Sequence, residues 1–517
     1  MLSFIASSRP RRLAALALAL AVSLAGGCVP GDPGPGQSPG SIAVIAGPAG
    51  TSLNPYTTVL SSRQVGALLF RGLFGVDDQG MPVPDLATEI PTVDNGGISA
   101  DRTEVTYRLD PDARWADGEP LTAGDVVFTW GLLDAGVLAD DPRGAENVVA
   151  VTAIDEHTVR LTLSEPDAPF AWRFVPYVLP RHLLEGSPDV LSDDFWVHPV
   201  GSRGRLVERH IKGSQVDLID PAGQLLTIRV VFAQTDAAAR SVWEAEVNCV
   251  WLSPPVGPAG SEQESSVPSA RWRAFIMNPS EGHVTADPAV REAFSVAATV
   301  TVAPGDPGPY GYPIAESVAD TEAVLGALDA AEWRAGADGV RSKRGRELVY
   351  DVIFNPISAE EGNRIEYDIP IRDFGGRIEP YPTFPYTDYP GGSPLVLGDF
   401  DVALLEFPIG VPYGWAWPYE SGDVPSATNP AGLNVSRVSD AGLDAAATAM
   451  QEAGSPAELR SALGEGWARL EELRLVRWDL RFDQTVLYKG VEGVEAEPFE
   501  EYALRDAGSW RIAGAGE

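Results

Sequence analysis

Apolar positions along this chain repeat in two rhythms. In Glu104–Leu109 they alternate, with Val105, Tyr107 and Leu109 on one face and Thr106 and Arg108 on the other. The same alternation recurs at Thr158–Leu163 through Val159, Leu161 and Leu163. Both segments are predicted to be half-buried strands. Ser41–Ile45 is a short buried-strand candidate and Leu225–Ala233 a longer, mostly apolar run, both fit for strands covered on both faces. Elsewhere the spacing is helical. Thr122 and Asp125 form a capping box ahead of Val126, Val127, Trp130 and Leu133. Asp320 caps a segment carrying Val324, Leu325 and Leu328. The strongest helix starts at Ser455, with Pro456 at its first position and Glu458 at its third, and Leu459, Leu463, Trp467, Leu470 and Leu473 make its stripe. Strands and helices interleave, so the pattern predicts an α/β or α+β fold.

The first 28 residues follow neither rhythm. Arg9, Arg11 and Arg12 precede Leu13–Ala25, a run apolar but for Ser23. Thirteen helical residues reach about 20 Å, short of a hydrocarbon core of about 30 Å, so the run reads as a signal peptide rather than a span. Its end, Leu24-Ala25-Gly26-Gly27-Cys28, resembles the bacterial lipobox, which implies lipidation at Cys28 and a lipid-anchored, extracytoplasmic protein on the cell membrane; the alternative is a plain secretory signal. Residues 29–40 hold four Pro and four Gly and form a tether too poor in apolar residues to pack.

Composition narrows the function classes. The chain has 517 residues, 44% hydrophobic and 21% charged, enough for two to four packed domains. Its 73 Asp and Glu against 38 Lys and Arg give a formal charge of −35, which repels phosphate backbones and excludes nucleic acid as a partner. Of its two Cys, lipidation of Cys28 leaves Cys249 alone in an apolar, strand-like stretch, where it reads as a buried small hydrophobe. The five His are scattered without metal-ligand spacing, and neither a nucleophile elbow nor a P-loop occurs. The chain therefore gives no positive sign of an enzyme, and no metal or cofactor is expected.

One constellation stands above background. It comprises Leu53-Asn54-Pro55-Tyr56, Leu69-Phe70-Arg71-Gly72-Leu73-Phe74, Pro82–Ala87, Val105–Leu109, Ala113-Arg114-Trp115-Ala116-Asp117-Gly118-Glu119-Pro120 and Asp125–Trp130. In order and spacing these segments resemble the signature region of family 5 extracytoplasmic solute-binding proteins, the peptide-, dipeptide- and nickel-binding components of ABC importers. Weaker likeness continues at Leu179–Leu184, Val290-Arg291-Glu292-Ala293, Ala337–Arg341 and Asp399–Leu405. In the motif itself, Ala116-Asp117-Gly118 suits a tight turn, while Tyr107 and Trp115 are expected to fill a core.

The resemblance implies an α/β, periplasmic-binding-protein-like fold of class II, cluster C, with two lobes around a ligand cleft plus an extra inserted domain. Lobe I would comprise residues 41–72, 200–270 and 486–512, the inserted domain 73–199, and lobe III 271–485. The implied partners are a membrane ABC permease and a peptide or other small organic solute, captured by cleft closure and bound by a monomer. A non-transporting lipoprotein of the same fold, regulating or scaffolding cell-envelope synthesis, is the alternative.

Departures from the family pattern bear on the ligand. Peptide-binding members carry Trp-x-x-Asp-Tyr after the strand matching Asp399–Leu405; counted without gaps, Phe407 falls on that Trp and Gly410 on the Asp. That Asp pairs with a peptide's amino terminus, and an unpaired buried ammonium costs several kcal/mol. Glu406 is the neighbouring carboxylate available to replace it. Phe407, Tyr413, Trp415, Trp417 and Tyr419 put five aromatics within thirteen residues. They either line the cleft as stacking surfaces or fill the core of their own lobe. Ser52 and Leu53 match a segment that lines the cleft in relatives, with a purely structural turn as the other reading. The candidate ligand-binding residues are thus Ser52, Leu53, Glu406, Phe407, Tyr413, Trp415 and Trp417.

Overall fold

The structure is a computed structural model. It describes residues 40–517 apart from 51, 58, 78–79, 139–143, 188, 192–193, 255–262, 299–319, 355–364, 366–368, 383–392, 409–418, 427, 430–431, 500–501 and 515–517. Among the described residues, no helix is long and apolar enough to cross a membrane. The signal segment, Cys28 and the tether to residue 39 lie outside the described residues.

A ten-stranded sheet organises the chain. At its centre run two long antiparallel strands, Gln263–Met277 and Val476–Lys489. On one flank lie Cys249–Leu252, Ser41–Ala46, Thr227–Phe232, Gln215–Ile219 and Leu206–Ile211, in that order. On the other lie Val402–Pro408, Val349–Phe354 and Arg377–Pro382. The two long strands are all that joins these halves within the sheet. Their ladder slips between Pro268 and Trp272 and again between Arg273 and Ala274. Pro268 brings no N–H to the ladder, and such irregularities bend a strand. The sheet is therefore least regular where one half passes into the other.

Ser41–Ala46 is parallel to both its neighbours, Thr227–Phe232 and Cys249–Leu252. Five of its six residues are buried, as a strand covered on both faces requires. The strand Gln263–Met277 sorts its side chains between two cores. Trp272, Ala274 and Ile276 enter the larger one, and Phe275 and Met277 join Val290, Phe294, Tyr350 and Phe374 in the other. Cys249 is fully buried, as expected of a small hydrophobe.

A separate three-stranded antiparallel sheet, ordered Glu104–Arg108, Thr158–Leu163, Val148–Asp155, carries the predicted alternation. Val105, Tyr107, Val159, Leu161 and Leu163 are buried. Tyr107 and Trp115 fill the core beside it, and Gly118, at φ 94°, takes the turn conformation open to glycine. The helix Ala123–Asp134 begins with the capping box of Thr122 and Asp125. Its buried line differs from the predicted apolar stripe: Asp125 and Thr129 are buried with Val126. Asp125 Oδ1 accepts the backbone N–H of Arg181 at 2.9 Å, and Thr129 Oγ1 accepts that of Leu179. Polar groups on this helix pin the segment opposite, a role that periodicity alone does not reveal. The helix Pro456–Glu472 is capped by Ser455, whose hydroxyl accepts the Glu458 N–H, and it buries Leu459, Leu463 and Leu470 as predicted.

Candidate functional site

Three parallel strands, ending at Ala46, Phe232 and Leu252, point the same way. The carboxyl ends of parallel strands in an open sheet form a natural ligand crevice. Here the chain leaves Ala46 into a loop and then the helix Leu60–Leu69, and leaves Phe232 into the helix Asp236–Ala245. Between them lies a cavity of about 510 Å³ whose walls include Pro48, Val59, Ser61, Gln64, Trp251 and Ser253. Among the described lining residues Asp236 is the one ionisable group, and the rest offer apolar surface and neutral hydrogen-bonding groups. Ser253 ties it to the crossing strands: its N–H donates to Thr485 O, and its hydroxyl accepts from Gln484 Nε2.

The first loop is held by its own polar groups. Ser52 Oγ accepts the Asn54 N–H at 3.2 Å, and Asn54 Oδ1 accepts the Tyr56 N–H at 2.9 Å. Ser62 Oγ donates to Ser52 O, and Ser61 Oγ to Pro48 O. Leu53 is only 2% exposed and belongs to the larger core. Ser52 and Leu53 thus brace the loop, while Pro48 and Val59–Ser61 on either side form the cavity wall.

Glu406 sits on the strand Val402–Pro408, opposite Arg273 in register. Its Oε2 is 2.9 Å from Arg271 Nη2, so a cation already faces this carboxylate. Nearby, Arg273 Nε donates to Asp479 Oδ2 at 2.7 Å. On its other edge the same strand pairs with Val349–Phe354 only through Val402, Ala403 and Leu404; among the described residues, nothing pairs with that edge beyond Leu404. Phe407 continues the strand opposite Trp272. Tyr413, Trp415 and Trp417 lie outside the described residues. Tyr419 is buried, and its ring meets Trp467 edge-on at 6.4 Å. Trp467 packs on Trp478 at 5.2 Å, and Trp478 on Trp272 at 5.5 Å. This last aromatic of the loop is core, anchored through Trp467 and Trp478 to the crossing strands.

A second cavity, of about 470 Å³, opens between residues 144–173 and 420–451. Its walls include Glu146, Glu165, Asp167, Glu420 and Asp423, with Arg173 the one cation among the described lining residues. Asp167 Oδ1 accepts the Phe170 N–H at 3.0 Å as a helix cap, and burial pushes its carboxyl above the usual carboxylate range. Burial, then the charges of Asp423, Asp444 and Glu165, push Glu420 up as well. Among the described residues, no three His, Cys, Asp or Glu side chains converge as a metal site would require.

Comparison with known proteins agrees with this architecture. The family model for bacterial extracellular solute-binding proteins, family 5 middle, matches residues 81–202. Protein XP55 of Streptomyces lividans is 27% identical over 375 residues, covering 67% of this chain and 68% of that protein. The periplasmic murein peptide-binding protein MppA of Escherichia coli is 32% identical over 134 residues, so the match spans only 24% of MppA. Among solved structures, MppA in its unliganded open form superposes with TM-score 0.66 at 18% identity, covering 92% of this chain and 97% of MppA. NikA of Brucella suis, in complex with Fe(III)-EDTA, gives TM-score 0.69 at 16% identity, covering 91% and 99%. The fold is that of the periplasmic binding proteins, mixed α/β around a large central sheet. The segment 81–202 matches the family 5 model, and the chain around it shares the fold of these solved binding proteins. MppA is by its name a murein peptide-binding protein.

Proposed function

We propose that this chain is the membrane-anchored solute-binding component of an ABC importer, lipidated at Cys28, monomeric, and delivering a peptide or other small organic solute to a membrane permease. One observation carries the reading: a largely neutral cavity of about 510 Å³ lies at the carboxyl ends of three parallel strands, beside the joint where only two strands cross. Lobe I would take residues 41–72, 200–270 and 486–512, the inserted domain 73–199, and lobe III 271–485. Bending at the Pro268–Ala274 irregularities would swing lobe III over the cavity, and the ligand would stabilise the closed state.

The site's chemistry narrows the ligand. The edge of Leu405–Phe407 left without a described partner suits an extended peptide adding as a strand. Glu406, already facing Arg271, is a weak counter-charge for a free amino terminus. A peptide with a blocked amino terminus, or an apolar or sugar-like solute stacked on Phe407, Tyr413, Trp415 and Trp417, fits better, with Ser52 and Leu53 shaping the lobe I wall. A thermal-shift screen of the full chain with peptides and glycans tests this. Stabilisation by a ligand class, weakened in Phe407→Ala or Trp415→Ala, is expected. A folded protein stabilised by none of them refutes it. Release from the membrane fraction on Cys28→Ser tests the anchor.

A further inference from the structure

Ser253 stands where the cavity at the strand ends meets the two crossing strands, and its backbone is strained. Its φ is 48°, in the left-handed region that few residues other than glycine adopt. Pro254 follows it, and a residue before proline is pushed toward extended backbone. Glycine would hold this turn at the least cost, so what serine adds here is its hydroxyl.

That hydroxyl is fixed in polarity. Gln484, 2% exposed on the strand Val476–Lys489, donates through Nε2 to Ser253 Oγ at 3.1 Å. Among the described residues, no acceptor takes the hydroxyl's own hydrogen. The Ser253 N–H is engaged as well, on Thr485 O at 3.2 Å. What Ser253 still offers the cavity is one O–H donor. Ser61, on the helix wall, is set the opposite way: its O–H goes to Pro48 O at 2.6 Å and leaves lone pairs on the oxygen. Asp236 is the one ionisable group among the described lining residues, and residues 51, 58 and 255–262, next to the walls in sequence, include no Lys, Arg or His. An anionic solute finds no cation among these residues. A neutral group that both accepts and donates, such as a peptide amide or a sugar hydroxyl, matches both serines.

The position also bears on the joint. Thr485, whose carbonyl holds Ser253, pairs with Ser266, and their hydroxyls meet at 3.0 Å. The next rungs are Gln484 with Val267 and Asp483 with Pro268, after which the ladder slips. A solute bonded to Ser253 is therefore held against the last regular rungs before the slip.

We propose that Ser253 determines specificity in this cavity: its hydroxyl, oriented by Gln484, donates a hydrogen bond to the acceptor oxygen of a neutral amide or hydroxyl group on the solute. The assignment rests on the solute-binding reading of the cavity and names the group that the site selects.

Native mass-spectrometric titrations of the full chain test it, with a mixed peptide library and, separately, a mixture of neutral oligosaccharides. At least one probe is expected to form an adduct, and which one does so tells amide from sugar hydroxyl. Ser253→Gly relieves the backbone and removes the hydroxyl. Its melting temperature is expected to hold while the adduct's apparent affinity falls about tenfold, the effect of leaving a hydrogen-bonding partner unmet. Ser253→Asn tolerates the left-handed region and carries both an acceptor for Gln484 and a donor for the solute, so it is expected to keep most of the affinity. Gln484→Glu replaces the donor by an acceptor and draws the Ser253 hydrogen to itself. Its loss is expected to match that of Ser253→Gly, and the double variant to lose no more, whereas two merely structural losses would add. An adduct as tight on folded Ser253→Gly as on the unsubstituted chain overturns the proposal and leaves the solute-binding reading standing. A folded, unsubstituted chain that takes up neither probe overturns both.

Discussion

The two crossing strands carry a buried ion pair whose removal tests the account of the joint. The ladder sets Arg273 opposite Leu480 and Ala274 opposite Trp478, so Asp479 is the extra residue of a bulge. Its side chain is 1% exposed and receives Arg273 Nε at 2.7 Å, while Arg273 is 15% exposed. In bulk water such a pair is worth about 1 kcal/mol; at an effective dielectric of about 20 the attraction is about 4 kcal/mol. Most of that attraction offsets the desolvation of the two charges, so the intact pair adds little net stability. Removing one partner is a different matter, because it takes a neutralising charge from a buried group, a change that costs about 3–5 kcal/mol. Arg273→Met, which keeps the aliphatic stem, is therefore expected to lower stability by about 3 kcal/mol in urea denaturation at pH 7. Adding Asp479→Asn should restore roughly half or more of the loss, a coupling of about 2 kcal/mol in the double-mutant cycle. If each single change costs under about 1 kcal/mol and the two simply add, the bulge is not held by this pair and the reasoning fails.

Three further outcomes follow from particular groups. Burial pushes the Cys249 thiol up to about 12, so an aromatic disulfide reagent at pH 8 should leave Cys249 unmodified in the native chain and react fully in denaturant. Arg469 grips Asp440 through bonds of 3.0 and 2.7 Å and holds its carboxyl below the usual carboxylate range. That stability is present above the unfolded pKa of about 3.9 and is lost as pH falls through the lowered value, so the parent's advantage over Asp440→Asn at pH 7 should shrink and then vanish in an acid titration of stability. Val59→Trp adds bulk to the wall of the larger cavity without removing core, so ligand affinity should fall at least about tenfold in a calorimetric titration while the melting temperature holds.

The elements that were legible in the sequence are those whose two faces differ. Val105/Tyr107 alternation and the Leu459–Leu470 stripe announce a strand and a helix because one side meets solvent and the other a core. The helix Leu60–Leu69 hides for the opposite reason. Nine of its ten residues are buried, Ser61, Ser62, Arg63 and Gln64 among them, and Val59 gives it no side-chain cap. Its polar residues sit inside, Ser61 and Ser62 bonded to the first loop, so a binary pattern reads them as surface. The start of that helix, Leu60, Ser61 and Gln64, lines the larger cavity, a role that no local pattern in the sequence marks. The long strand Gln263–Met277 is similar: its first half is exposed and polar, and only pairing with Val476–Lys489 makes it a strand. Glu420 and Glu165, distant in sequence, carry no local signal; folding alone sets them across one cavity.

The central claim is that the cavity at the strand ends holds a small solute. Native mass spectrometry of the chain, after incubation with a mixed peptide library and removal of free ligand, tests it most directly. The account predicts a discrete one-to-one adduct that Val59→Trp abolishes and Glu165→Gln leaves in place. A folded chain carrying no adduct, or an adduct indifferent to Val59→Trp, would contradict it.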